Sequence, residues 1–146
     1  MDAAAYNARC SIARSLEVLG DKWTPLILRE SFRGSTRFSD FRDALGIARD
    51  VLAARLATLV EYGVMEKRTY REEGAREREE YVLTPAGHDL RLLLAAFTEW
   101  GDVHRPTDHG PTAAFVEVGT GRPVHLAFVD DAGAVVSDVE SVFTAA

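Results

Sequence analysis

The chain has a single cysteine, Cys10, and two lysines against 15 arginines in 146 residues. One cysteine cannot form a disulfide within the chain, which fits a reducing compartment. No stretch approaches the roughly 18 apolar residues that a membrane span needs. The first ten residues lack a basic start followed by an apolar run, so no secretory signal is expected and the reading is cytoplasmic. Paired-carboxylate motifs, a nucleophile with a base at local spacing and a glycine-rich phosphate loop are all missing, so nothing calls for an enzyme or a cofactor. His104, His109 and His125, even with Asp108, match no compact ligand spacing, and no metal is expected. Internal repeats and low-complexity segments are absent as well. The scarcity of lysine beside arginine hints at a GC-rich genome and says nothing of function.

What is present is the composition of an ordinary globular protein, 47% hydrophobic with a net charge of −6. The length suits one domain, or one domain with a small appendage. The charge is unevenly spread. Residues 22–78 hold twelve Lys/Arg and nine Asp/Glu, a balance of +3, which leaves −9 for the remainder. A local basic excess is the feature that matters for a nucleic-acid partner, more than the total.

The organising stretch is 34–84. Phe38, Phe41 and Leu45 follow the period of one helical face, and Leu52, Leu56, Leu59 and Val60 repeat it in a second helix beyond a turn at Gly46. Gly63 stands where that helix should stop. Residues 64–70 and 81–84 read as two short strands joined by a long, charged tip at 71–79. Helix, turn, helix and hairpin in this order make a winged helix-turn-helix, a unit that places its second helix in the DNA major groove. The spacing predicts that helix over 48–62. Arg49, Asp50, Ala53, Ala54, Arg55 and Ala57 face outward. The alanines either let the helix approach base edges closely or are merely good helix formers on a solvated face.

Ahead of this unit, Ile12, Leu16 and Leu19 predict a helix over 9–19, ended by Gly20. Thr24 as N-cap and Pro25 at the first helical position predict a second helix over 25–32, with Leu26, Ile27 and Phe32 in the core. Trp23 is expected to pack between these two helices. Ser35 or Thr36 is expected to cap a third helix over 37–45. Behind the unit, Thr84-Pro85 opens a long helix over 85–100. Leu90, Leu93, Leu94, Phe97 and Trp100 give it an apolar stripe too wide for so small a core. A second copy in a C2 dimer is the natural cover. Gly101 should end that helix. The expected domains are 1–101 for DNA binding and dimerisation, 102–113 as a linker, and 114–146 as a small β-meander that must dock on something larger. The fold class expected is α+β, mainly α.

Several blocks match a known family. These are Cys10-Ser11-Ile12-Ala13-Arg14-Ser15-Leu16, Gly20-Asp21-Lys22-Trp23-Thr24, Leu26-Ile27-Leu28-Arg29-Glu30, Arg37-Phe38-Ser39-Asp40-Phe41 and Tyr81-Val82-Leu83-Thr84-Pro85-Ala86-Gly87. In this order and spacing, over roughly 10–102, the chain resembles the HxlR-type transcriptional regulators, winged-helix proteins close to the MarR group. The resemblance implies a homodimeric regulator of double-stranded DNA, joined through its first and last helices. It implies that the helix from Ala48 enters the major groove, that the hairpin tip lies near the minor groove, and that Arg37 and Ser39 approach phosphate. Arg49 and Arg55 are then candidates for the groove, and Arg76 and Arg78 for the wing. Relatives usually carry serine where this chain has Ala48 and a basic or polar residue where it has Asp50. Asp50 repels phosphate but can accept from a cytosine amino group.

Cys10 stands where redox-sensing relatives carry a cysteine used against quinones, aldehydes and other electrophiles. A helix start with Arg9 and Arg14 nearby favours a thiolate. The alternative is a small buried hydrophobe. A rival signal is a small aromatic ligand in an apolar pocket lined from Trp23, Phe97 and Trp100. The alternative to DNA binding altogether is a winged-helix module that binds protein.

Overall fold

Phe41 in one helix and Leu52, Leu56 and Leu59 in the next are fully buried, as their spacing predicts. The computed structural model describes residues 3–139. Its contacts divide the chain into two compact units, Met1–Leu90 and Arg91–Ala146. The architecture is α+β and mainly α.

The first unit holds α1 (Ala3–Arg9), α2 (Ser11–Leu19), α3 (Trp23–Phe32), α4 (Phe38–Leu45), α5 (Arg49–Glu61), β1 (Met65–Tyr70), β2 (Arg78–Leu83) and α6 (Pro85–Asp89). Its core is Ile27, Leu28, Phe41, Ile47, Leu52, Leu56, Leu59, Val64 and Met65, all buried. α5 packs against α3, α4 and β1. Gly46, at φ +61, ends α4 in the left-handed region that favours glycine. β1 and β2 pair antiparallel from Met65 with Leu83 to Tyr70 with Arg78. A further backbone bond, from Tyr81 N–H to the Thr36 carbonyl at 2.7 Å, ties this hairpin to the lead-in of α4.

Several boundaries differ from expectation, each for a local reason. The helix expected over 9–19 is realised as α2, which starts two residues later because Cys10 is extended at φ −68 and ψ 121 in the N-cap position, and α1 ahead of it was not expected. α3 begins at Trp23, and Thr24 is a buried residue within it rather than its cap. The capping oxygens belong to Asp21. Its carboxylate accepts from Trp23 N–H at 2.7 Å, Thr24 N–H at 3.0 Å and the Thr24 hydroxyl at 2.6 Å, satisfying donors that a helix start leaves orphaned. Trp23 is half-buried, with Lys22 Nζ 4.7 Å from its ring centroid. Leu26 and Phe32 are half-buried and Leu28 takes the deeper place. Neither Ser35 nor Thr36 caps α4. Arg37 is the N-cap residue and its N–H donates to Asp40 at 3.2 Å.

The block Thr84-Pro85-Ala86-Gly87 is explained by close packing. The Thr84 hydroxyl oxygen accepts from Gly87 N–H at 3.2 Å while its hydrogen reaches the Gly63 carbonyl at 2.5 Å. A Cβ on Gly87 would lie 2.2 Å from the Val64 carbonyl oxygen. The helix expected over 85–100 is interrupted after this turn, and α7 (Arg91–His104) opens the second unit. Gly101 does not end it; the helix runs three residues further. Beyond α7 the expected meander is realised as small antiparallel pairings. Val116 bridges Pro123, and β3 (Phe128–Val129) pairs with β4 (Val135–Val136). The tail is tied to α7 by Leu126 N–H, which donates to Glu99 at 2.9 Å. The end of the expected meander, 140–146, lies outside the described residues.

Two variants test this packing. Gly87→Ala forces the backbone at Val64 to shift and is expected to lower stability by about 1–3 kcal/mol in urea unfolding. Asp21→Asn tests the cap. Burial pushes the Asp21 carboxyl up, but the Thr24 hydroxyl, the two backbone N–H groups and Arg55 outweigh it and hold it below its ordinary value of 3.8. A carboxylate held low contributes stability that is complete above that ordinary value and is lost as pH falls through the lower, folded one. The wild type should therefore lose stability more steeply than Asp21→Asn below about pH 4, and equal acid limbs would refute the assignment.

Candidate nucleic-acid interface

The start of α4, the outer face of α5 and the hairpin are joined within the first unit by side chains as well as backbone. Arg37 donates from Nη2 to Glu72 at 2.5 Å, and its guanidinium carbon lies 4.8 Å from the Tyr70 ring centroid. The hydrogen bond with Glu72, with help from Tyr70, raises the Arg37 pKa above its ordinary value. Arg49 lies 5.8 Å over Phe38, linking the first turns of α4 and α5. Ser39 is exposed one residue into α4.

The outer face of α5 follows from its buried one. With Leu52, Leu56 and Leu59 inward, the exposed residues are Arg49, Asp50, Ala53, Ala54, Ala57 and Glu61. Arg55 corrects the expectation that it points outward. It flanks the leucine stripe, is half-buried, and reaches back to Asp21 at 3.6 Å. Its Nε is buried without a hydrogen-bond partner. At the hairpin, β2 begins earlier than expected. Arg78 therefore stands in a strand opposite Tyr70, and the tip shrinks to 71–77. Arg76 and Arg78 are exposed and carry no ion pair among the described residues. Lys67 is paired with Glu79 at 3.2 Å and Arg68 with Glu66. Counting Glu79 and Glu80 with the stretch from 22 lowers its balance from +3 to +1, so the surface is mixed rather than strongly basic.

Sequence reasoning missed Glu72, Tyr70 and Phe38 as partners of the arginines. Glu72 lies 35 positions from Arg37, beyond any local spacing rule. The Asp21 cap did have a signal, since aspartate two and three positions before helical N–H groups is a cap pattern.

Cys10 is half-exposed between α1 and α2, and it makes no side-chain capping bond. Trp23 belongs to the first unit, and Phe97 and Trp100 to the second, where they are 55% and 60% exposed. A cavity of about 130 Å³ in the second unit has Asp102, Arg105, Pro106, Thr107, Gly110 and Thr112 among its walls and includes none of these aromatics. Among the described residues no group of three or more His, Cys, Asp or Glu is placed to hold a metal ion. No described helix is long and apolar enough to cross a membrane.

Comparison with known proteins adds the following. The HTH-type transcriptional regulator Rv3095 of Mycobacterium tuberculosis, itself uncharacterised, is 44% identical over 101 residues, covering 69% of this chain. The chain spans 63% of that relative's length. The crystal structure of PA1607, a candidate transcription factor, superposes with a TM-score of 0.77 at 37% identity, covering 94% of this chain and 96% of PA1607. The redox regulator HypR in its reduced form gives a TM-score of 0.60 at 27% identity, covering 66% of this chain and 94% of HypR. PA1607 thus shares nearly the whole chain, whereas HypR has a counterpart for two thirds of it. The family described as HxlR-like helix-turn-helix matches residues 18–109. With the winged helix-turn-helix built by α4, α5 and the β1–β2 hairpin, the chain belongs to the HxlR-like helix-turn-helix family.

Proposed function

We propose that the protein is a sequence-specific DNA-binding transcriptional regulator that acts as a homodimer on an inverted repeat. The observation that carries this reading is the joining of three contact elements in one unit. Arg37 at the start of α4 is fastened to the hairpin through Glu72 and Tyr70, and Arg49 at the start of α5 is laid against α4. Between them α5 exposes small side chains at Ala53, Ala54 and Ala57. In this reading α5 enters the major groove, Arg37 and Ser39 meet phosphate, and Arg76 and Arg78 follow the backbone from the hairpin. Arg55, engaged with Asp21, supports α5 from behind. Exposed Ile12 and Leu16 on α2 and Leu92, Phe97, Trp100 and Val103 on α7 support a second copy as partner.

For the signal, HypR is a redox regulator, and the half-exposed Cys10 is the one thiol available here. Oxidation of two Cys10 thiols, one per protomer, to a disulfide would deliver two electrons and two protons to the oxidant and alter the spacing of the two α5 helices. A small aromatic ligand is the other input. The mixed charge of the hairpin favours, as the contrary reading, a module that binds protein without DNA.

Titration of the reduced protein against fragmented genomic DNA tests the reading. Enrichment of fragments sharing an inverted repeat is expected, with affinity falling about 10³-fold or more between 50 and 200 mM salt for a dimer making six phosphate contacts. Arg37→Ala should reduce the salt slope by about one per protomer. No enrichment at low salt would bring the protein-binding reading forward. Separately, Cys10→Ser should bind DNA as the wild type does and stop responding to a thiol oxidant; a response that survives the substitution rejects Cys10 as the sensor.

A further inference from the structure

The outer face of α5 is unusual in what it offers a duplex. Arg55 is turned back to Asp21 and Arg49 lies over Phe38. Beside Arg49, which stays exposed, the exposed side chains over the first three turns are Asp50 and the methyl groups of Ala53, Ala54 and Ala57. Asp50 is the second residue of α5, exposed, and without a hydrogen bond or ion pair among the described residues. In helix-turn-helix proteins the N-terminal residues of this helix are the ones that contact base edges. An ionised carboxylate there accepts and never donates. The guanine edge, with its N7 and O6 acceptors, repels it, and thymine offers no donor in the major groove. Cytosine presents an N4 amino group and no competing acceptor, whereas adenine sets N7 beside its amino group. Phosphate repels Asp50 as well, so its presence weakens indiscriminate binding while rewarding one base.

We propose that Asp50 is a specificity-determining residue that accepts a hydrogen bond from a cytosine N4 amino group in each half-site. Ala53 and Ala57, one and two turns further along the exposed face, pack against thymine methyl groups beside it. The inference rests on the reading of α5 as the major-groove helix and names what that helix reads. A purely structural role exists for Asp50, since an acidic residue in the first turn of a helix interacts favourably with the helix dipole. That role affects folding and carries no base preference, which makes the two separable.

The experiment is selection from a random duplex pool with reduced wild type, Asp50→Ala and Asp50→Asn, with thermal unfolding of each measured alongside. The wild type should enrich an inverted repeat with a fixed cytosine in each half-site, and replacing that cytosine by thymine should weaken binding about tenfold or more. Asp50→Ala should lose the preference at that position and keep it elsewhere. Asp50→Asn, nearly the same shape, should move it toward adenine, whose N6 and N7 match the asparagine amide. Identical base preferences in all three proteins, with only unfolding altered, would overturn the proposal and leave Asp50 a helix-dipole residue. A wild-type repeat without a fixed cytosine would overturn it too, while leaving DNA reading intact. Failure of the wild type to enrich any sequence would overturn the DNA reading itself, and this inference with it.

Discussion

Burial of three leucines on one side of α5 sets almost everything else in the first unit. Leu52, Leu56 and Leu59 are fully buried, against α3, α4 and β1 as packing elements. Each contributes about 1.5–3 kcal/mol relative to exposure, so together they far outweigh any surface contact the helix makes. That burial fixes the rotation of α5 about its axis. With about 100° between successive residues, Ala53, Ala54 and Ala57 must then face out, and Arg55 must stand beside the core. An arginine in that position cannot remain unpartnered at low cost, and Asp21 at the start of α3 answers it.

The same carboxylate that answers Arg55 also closes the start of α3. One residue of the Gly-Asp-Lys-Trp-Thr block thereby joins the entry of α3 to the middle of α5. The Arg37–Glu72 contact is different in kind. Both side chains are substantially exposed, and ion pairs in such places contribute about 0–1 kcal/mol. Glu72 can give way to a stronger anion at little energetic cost, while the backbone bond from Tyr81 to Thr36 keeps hairpin and helix together. A surface of mixed charge with one readily exchanged anion suits selective binding better than tight, indiscriminate binding.

Much of this was legible beforehand. The helices at 38–45 and 49–61 and the hairpin beyond them follow from apolar period and glycine placement, because those signals are local. The break at Leu90 was not legible, since a helix-compatible apolar stripe begins there and only the local backbone interrupts the helix, and α1 was not legible because Ala3–Arg9 carries no apolar period. Gly101 misled for the opposite reason. Glycine weakens a helix but does not stop one at ordinary helical angles, and it has no positive φ here. At the candidate interface, exposure of Ser39, Arg49, Asp50 and Ala53 could be read from the helical period. The partners of Arg37 and Arg55 could not, because Glu72 and Asp21 lie 35 and 34 positions away.

The sequence by itself determined the order of elements, the inward face of each helix and the family blocks, because periodicity, caps and turn residues act within a few positions. Only the tertiary structure decided which charges remain available. Arg55 is withdrawn to Asp21, Arg37 is shared with Glu72, and Asp50 stands clear. Ion pairs form between side chains that folding brings together, and no local pattern encodes that distance. The position of α7 in the chain's organisation was likewise settled by contacts, which group it with the tail after Leu90 rather than with the helices before it.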